Sequence, residues 1–402
     1  MARSKIYVGL EIGTSKVCML VGEVKKDNSV KILGIGSVKS AGVRKGEICD
    51  FSKIRDCVED ARRKAEESSD VEIGSVLLSV TGSHMMGVNS TGTYRLPDRD
   101  KQIHAAHLKE AEQIACNIHL TDEQVILHHT PRMYRLDQLD HMTPPIGLYS
   151  TTIQSHYHIV YGTETRIKNS IKCVRELNMD VDEVVFAPIA SAQYALNAEE
   201  KERGVLLIDL GGGTTDYALY LNGAIAASGC VALGGEHVSN DIHMIAEIPF
   251  TRAENLKISE GYATGESSRY VSDIKFPVDD SGFTHKDVKR ELLNAIIRER
   301  MVEILTLVKK RLPEGALEQL GSGVILRGGG SAMKGLNQLV TEVFGVSVNQ
   351  SSRAEISGVQ ANFQDPQFTT CLGLIRYAQY ADVEKRRKTK FIDVIWPFGR
   401  KS

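Results

Sequence analysis

No two of the seven cysteines are spaced C-x-x-C; they stand scattered at 18, 49, 57, 116, 173, 230 and 371. An odd, dispersed set argues against a disulfide framework or a structural zinc site and predicts a reducing cytosol. No window approaches about eighteen successive apolar residues, the length a membrane-spanning helix needs. The opening residues, MARSKIYVGLEIGTSK, hold no apolar stretch long enough for a signal peptide and meet an acid at Glu11. Net charge is only −2, so composition offers no general affinity for nucleic acid. Tryptophan is nearly lacking too: the single one, Trp396, stands beside a basic C-terminus rather than in the body of the chain.

What is present points to two lobes. At 402 residues the chain exceeds the size at which single cores stop growing. Residues 6–24, IYVGLEIGTSKVCMLVGEV, read as strand, glycine turn and strand, with KILGIGSV at 31–38 as a third strand. Residues 205–223, VLLIDLGGGTTDYALYLNG, repeat that grammar and are also followed by an apolar strand, AIAASGCVAL. A repeat at about half the chain length is too long for a solenoid and predicts two lobes on one plan. Segments 51–67 and 164–178 carry apolar residues three and four apart, as sheet-covering helices do, so α/β layers are expected. Between the repeats, 83–162 holds nine of the twelve histidines and the loop HMTPPIGLYSTT, and reads as a small α+β insertion. A second such stretch, about 240 to 300, opens with the helical TRAENLKISEGYA. Residues 291–312 then read as a long amphipathic helix, and 324–345, VILRGGGSAMKGLNQLVTEVFG, as strand, glycine turn and helix.

Three glycine turns thus follow apolar strands: Gly13-Thr14-Ser15-Lys16, Gly211-Gly212-Gly213-Thr214-Thr215 and Gly328-Gly329-Gly330-Ser331. Glycine lets backbone N–H groups approach an anion without a Cβ in the way, and Thr and Ser hydroxyls add donors. The acids beside them, Glu11, Asp209 and Asp216, are placed to hold Mg²⁺ through water, since this ion sheds its hydration shell reluctantly. Any one turn alone reads more readily as a plain tight hairpin. None fits G-x-x-x-x-G-K-[ST] or G-x-G-x-x-G. Three together, two of them in a repeat, point to a nucleotide in a cleft between lobes.

GLEIGTSK, IDLGGGTTD and VILRGGGSAMKGL resemble, in order and spacing, the two phosphate motifs and the adenosine motif of the actin, heat-shock-chaperone and sugar-kinase superfamily. GLEIGTSKV, VGEV, KGEICD at 45–50, PPIGL at 144–148, TRAENLK and the basic, aromatic C-terminus sharpen the resemblance to the FtsA family of bacterial cell-division proteins, over essentially the whole chain. The resemblance implies an actin-like ATPase fold, two lobes of duplicated ribonuclease-H-like domains, with subdomain 1C (an SHS2-like insertion) in place of 1B. It assigns 1–82 and 163–200 to subdomain 1A, 83–162 to 1C, 201–240 and 301–380 to 2A, and 241–300 to 2B. A linker at 381–390 and an amphipathic membrane-targeting segment at 391–402 follow.

The resemblance also assigns roles. Gly13, Thr14, Ser15 and Lys16 cradle phosphates from one lobe, and Gly211, Gly212, Gly213, Thr214 and Thr215 from the other, with Asp209 near the metal. Glu254 and Lys257, three apart on a helix, face the ribose and adenine, although such a pair is elsewhere often just a solvated face. Gly329, Gly330, Ser331 and Met333 wall the base. ATP and Mg²⁺ are the implied cofactors. The implied partners are the C-terminal peptide of the tubulin homologue FtsZ on the second lobe, further copies of the chain in a filament, later division proteins through 1C, and an anionic membrane. The location implied is the cytoplasmic side of the inner membrane at the division site. Within the superfamily, a pilus-assembly protein like PilM or a sugar or acetate kinase is the alternative.

One departure bears on mechanism. Where heat-shock chaperones and MreB read E-P-x-A-A-A, with a Glu that positions the attacking water, this chain reads FAPIASAQYAL, with Ala187. Alanine can neither orient nor deprotonate water, so tight ATP binding with slow or negligible hydrolysis is expected. His128, His129, His156 and His158 invite a metal, but no nearby Cys or acid completes a tetrahedral set, and they read as solvated or packing residues. In the tail, seven Lys/Arg face one acid, Asp393, over 385–402. On a helix from Phe391, the side chains Phe391, Ile392, Val394, Ile395, Trp396 and Phe398 share an arc of roughly 200°, interrupted by Pro397. A helix docked back on the domain is the bland reading; the polar linker, basic cluster and Trp favour an interfacial helix on an anionic membrane.

Overall fold

The computed structural model describes residues 5–25, 27, 29–97, 101–264, 288–350, 356–358 and 365–381. Two sheets organise the chain. In the first, β1 (Lys5–Ile12), β2 (Lys16–Val24) and β3 (Val30–Lys39) form an antiparallel meander, and β6 (Ser75–Val80) then β11 (Asp180–Phe186) add in parallel beyond β1. In the second, β12 (Val205–Leu210), β13 (Thr215–Leu221) and β14 (Ala224–Val231) form the same meander, and β15 (Val324–Arg327) adds in parallel beyond β12. The repeat seen in the sequence is therefore a repeat of topology: meander, then parallel crossover. All of β12, and β1 at Val8 to Leu10 and Ile12, are buried, as strands covered on both faces are.

Helix α1 (Phe51–Ser69) crosses the first sheet. It starts where the Asp50 side chain accepts the Lys53 N–H and ends at Asp70 in the left-handed region. Its buried Ile54, Val58, Ala61 and Ala65 form one stripe at spacings of four, three and four. The helix lies so close that a Cβ on Gly36 of β3 would stand 1.8 Å from the Ala61 carbonyl oxygen. Helix α3 (Glu164–Arg175) joins α1 on this face, and α4 (Ala187–Ala195) enters between the sheets. There Leu77, Val185, Phe186 and Ile189 share one core with Leu207, Ala218 and Ile325 of the second sheet, and with Leu374 and Ala378 of the helical stretch 369–381. The largest core belongs to the second lobe, where α6 (Gly235–Ala246), α7 (Phe250–Glu260), α8 (Arg290–Lys309) and α9 (Leu336–Phe344) cover β12 to β15.

The insertion has its own antiparallel sheet of β7 (Met86–Arg95), β10 (Thr152–Thr163), β8 (Gln124–Leu136) and β9 (Leu139–His141), covered by α2 (Ala105–Cys116). Although it interrupts the first lobe in sequence, its sheet continues the second one: Met86 of β7 pairs with Gly229 of β14. The limits drawn from sequence at 200/201, 240/241 and 300/301 fall inside α5 (Ala198–Arg203), α6 and α8, so those units run into one another through continuous helices rather than linkers. Residues 265–287 of the stretch assigned to 2B, and the linker and tail from 382 to 402, lie outside the described residues.

Candidate functional site: the cleft between the two meanders

Each meander turns on a four-residue loop built the same way. The Gly13 N–H donates to the Lys16 carbonyl at 2.9 Å, and the Gly211 N–H donates to the Thr214 carbonyl at 2.9 Å. The loops face each other. A Cβ on Gly213 would stand 2.4 Å from Thr14 Oγ1, and one on Gly212 would stand 2.9 Å from Ser15 Cβ. Only glycine permits this approach. The amides of Thr14, Ser15, Gly212 and Gly213 have no hydrogen-bond partner among the described residues. Unspent N–H groups converging from two turns make a concave anion cradle.

A third loop closes the cleft. The hairpin of β4 (Val43–Arg44) and β5 (Glu47–Ile48) carries Lys45 and Gly46 in the left-handed region, and the Gly46 N–H donates to Thr14 Oγ1 at 3.0 Å. A Cβ on Gly46 would meet Thr214 Cγ2 at 3.0 Å. On the far side, α6 begins against the second turn: the Gly235 N–H donates to the Gly211 carbonyl at 3.0 Å and the Glu236 N–H to that of Gly212 at 2.8 Å.

The acids occupy corresponding places, one residue before the end of β1 and of β12. Glu11 pairs with Lys16 at 2.7 Å. Burial is the largest influence on Lys16 and works against its charge, but Glu11, Cys18 and Cys371 together outweigh it and raise the ammonium above its usual range. Asp209 accepts the Ser191 hydroxyl at 2.8 Å and the Thr370 hydroxyl at 3.4 Å. Its cross-strand neighbour is Asp216, which accepts the Thr81 hydroxyl at 2.5 Å. Burial, then the charge of Glu11, pushes Asp209 up to about 6. Burial, joined by the charge of Asp209, pushes Asp216 up to about 7. The second lobe thus holds two buried carboxyls side by side whose partners are hydroxyls and the Cys230 thiol. No cation among the described residues is paired to either, a donor set that a divalent cation relieves. Among the described residues no three His, Cys, Asp or Glu groups stand close enough to ligate one ion directly.

The remaining expected positions gather at the same place. Lys257 Nζ lies 2.8 Å from Glu254 Oε2 and donates to the Gly235 carbonyl at 2.9 Å, while the Ser239 hydroxyl donates to Glu254. The pair is therefore locked onto the start of α6 rather than solvated. Gly328, with φ of 80°, is pressed against the second turn: a Cβ there would stand 2.4 Å from Asp209 Oδ1. Gly329 is open, with Gln367 Cβ at 3.9 Å as its nearest neighbour, and Gly330 lies on Leu210. The Ser331 hydroxyl closes back on the Gly328 carbonyl at 2.8 Å, and Met333 packs on the second-lobe core. Thr215 differs from its neighbours in the turn, since its hydroxyl is spent on the Leu233 carbonyl at 2.8 Å and it braces the loop from behind.

Gly46, Thr81, Ser191 and Thr370 are site residues that sequence reasoning did not single out; only Gly46 had a signal, in KGEICD. Ala187 is buried at the first turn of α4, on the same helix face as Ser191 four residues later, and brings no polar group. Two of the insertion's histidines are structural braces. His128 Nε2 accepts the Phe186 N–H at 3.0 Å, and burial, then the neighbouring His129, drops its pKa to about 4. His158 bonds Asn89 Oδ1 at 2.7 Å and Ser228 Oγ at 2.8 Å, tying the insertion to β14. The tail residues Phe391, Ile392, Ile395, Trp396 and Phe398 lie outside the described residues. Among the described residues no helix is long and apolar enough to cross a membrane.

Two meanders of one topology with facing glycine turns define an actin-like protein, and the similar solved structures agree. The PilM–PilN type IV pilus biogenesis complex matches with a TM-score of 0.63 at 16% identity, over 93% of this chain and 98% of that one. MreB5 of Spiroplasma citri bound to ADP matches with a TM-score of 0.55 at 15% identity, over 97% and 98%. At such identities these matches speak for the fold alone. The sequence comparisons are more specific. The family model described as "Cell division protein FtsA" matches residues 206–373, and that described as "SHS2 domain inserted in FTSA" matches 82–161. Cell division protein FtsA of Buchnera aphidicola is 32% identical over 98% of this chain and 96% of its own length. That of Escherichia coli strain K12 is 31% identical over 95% and 94%. The chain belongs to the FtsA family of cell-division proteins.

Proposed function

We propose that this chain binds ATP with Mg²⁺ between its lobes, polymerises, and tethers the FtsZ ring to the inner face of the cytoplasmic membrane at the division site. The observation that carries the reading is the pair of facing turns, with four unspent amides, over two buried and uncompensated carboxyls. In this reading Thr14, Ser15, Gly212 and Gly213 bind phosphate oxygens through backbone N–H groups. Asp209, Asp216 and Glu11 orient the hydration shell of Mg²⁺, which supplies the charge neutralisation. Glu254 and Lys257 face the ribose and base from the α6 side, and Gly329 to Met333 face it from the other. Ala187 leaves the place of a water-orienting group apolar, so bound ATP clamps the lobes with slow or negligible turnover. Turnover matching chaperone-class ATPases would contradict this.

On the second lobe, Met244 and Ile245 of α6, Ile258 of α7 and Leu292 of α8 are exposed apolar side chains, and the FtsZ C-terminal peptide is assigned to this lobe. The insertion recruits later division proteins. The tail 391–402 binds anionic lipid weakly as one copy, so attachment depends on many tails presented by a polymer. Liposome co-sedimentation with ATP, comparing the full chain with one ending at Thr389, tests the tether. Binding that survives truncation would refute it.

A further inference from the structure

The insertion's sheet has one face under α2 and one that is not. On the uncovered face, His156 of β10 stands opposite Thr91 of β7 and Met133 of β8. The pairing of β10 with β8 then jumps from His156↔Met133 to Tyr157↔Pro131, which leaves Arg132 as the extra residue of a bulge. Its guanidinium makes no hydrogen bond or ion pair among the described residues, and its Nε is sealed from water without an acceptor. His156 is in the same condition on one side. Its Nδ1 meets the Thr91 hydroxyl at 2.9 Å, while its buried Nε2 has no partner.

The neighbouring charges do not satisfy them. Arg135 is consumed by Asp140, which it grips in a fork at 2.6 and 3.0 Å, and His158 is consumed by Asn89 and Ser228. Burial first, then the charges of Arg135 and Arg132, holds the His156 imidazole below its usual pKa. A half-buried cation without a counter-ion, beside a histidine whose protonation it disfavours, is an unfavourable arrangement for a fold to keep unless something of opposite charge fits there.

We propose that Arg132 and His156 form a receptor for a carboxylate side chain of a partner polypeptide. The charge fixes the class of ligand. Among the described residues, with Arg135 neutralised by Asp140, Arg132 is the unpaired positive charge at the bulge itself. Arg95 on the same face lies opposite Thr152, four residues from His156 along β10. One such charge at the bulge matches a carboxylate and undercompensates a phosphate dianion. A planar fork donor beside a ring N–H also matches two carboxylate oxygens. The source is a polypeptide because β9 pairs with β8 only over Tyr134–Leu136. The adjoining edge of β8, with His129, Thr130 and Pro131 exposed, has no strand beside it among the described residues, so an extended segment finds room along the bulge. The inference deepens the recruitment role proposed for the insertion and rests on it.

The test is selection of phage-displayed random dodecapeptides on the full chain, with counter-selection on Arg132→Gln, followed by anisotropy titration of the winners. Peptides carrying Asp or Glu are expected. Replacing that acid by its amide, or using R132Q, should each weaken binding about tenfold or more, and R132K, which keeps the charge but not the fork, should weaken it less. Thermal melting of each variant separates lost binding from lost fold, and movement of the His156 ring signals on titration places the contact. Winners without acids, acidic winners indifferent to R132Q, a phosphoserine version that binds tighter, or no winners at all would each overturn the carboxylate receptor. Winners that perturb the insertion without needing an acid would overturn it while leaving recruitment through the insertion standing.

Discussion

The two meander turns have one backbone and two electrostatic solutions. In the first lobe, the acid before the turn, Glu11, is matched within its own hairpin by Lys16, and its cross-strand neighbour is the thiol Cys18. In the second, the corresponding Asp209 has another acid, Asp216, across the strand and only hydroxyls to bond. Identical geometry therefore does not mean identical chemistry. The first turn is electrostatically complete, whereas the second is left short of a positive charge, and it is the second that the proposed Mg²⁺ would relieve most.

The strongest challenge to the comparison is steric. Gly213→Ala drives a methyl into Thr14, so we expect nucleotide affinity to fall by about a hundredfold or more in calorimetry. Gly329→Ala, in the open third turn, should change it less than about threefold. Equal losses would mean that the facing of the two meander turns is irrelevant to binding. Next comes removal of the acids. Glu11→Gln strands a buried ammonium and should cost about 2–3 kcal/mol in urea unfolding, whereas Asp209→Asn should leave stability equal or higher while abolishing the Mg²⁺ dependence of nucleotide binding.

A smaller effect is the pH dependence. Asp209 and Asp216 have folded pKa values of about 6 and 7, raised above the usual 3.8, so the folded chain holds their protons more tightly than the unfolded one. Their contribution is then most favourable at low pH, falls as pH rises from the unfolded value through the folded values, and levels off above about 7. Unfolding measured across that range should show this decline, Asp216→Asn should remove part of it, and Mg²⁺ with nucleotide should flatten it. The smallest change expected is at Ala187. Introducing glutamate there supplies a carboxylate able to align water, and single-turnover hydrolysis should rise by about tenfold from the low baseline proposed. No increase would mean that more than that one group is missing.

The hairpins, their glycines and the acids beside them could be read from the chain, because each is made by residues within about twenty positions of one another. The hydroxyls that complete the site could not. Ser191, Thr370 and Thr81 reach their carboxylates across sequence separations of 18, 161 and 135 residues, and a lone Ser or Thr carries no pattern. The histidines of the insertion were legible as a cluster but not by role, since His158 gains its meaning only from Ser228 on the other lobe. Likewise the Glu254 and Lys257 pair has the spacing of a solvated helix face, and only its contact with Gly235 distinguishes it.

The sequence by itself determined the duplicated meander, the places where backbones must pass without a Cβ, and the family, because alternation, glycine and local spacing act over short stretches of chain. Tertiary structure decided which charges are matched. Whether an acid meets a lysine, a hydroxyl or another acid depends on strands and helices far apart in the chain, and burial then sets what each mismatch costs. The same holds for the insertion, which the chain order attaches to one lobe and which β7, β14 and His158 attach to the other.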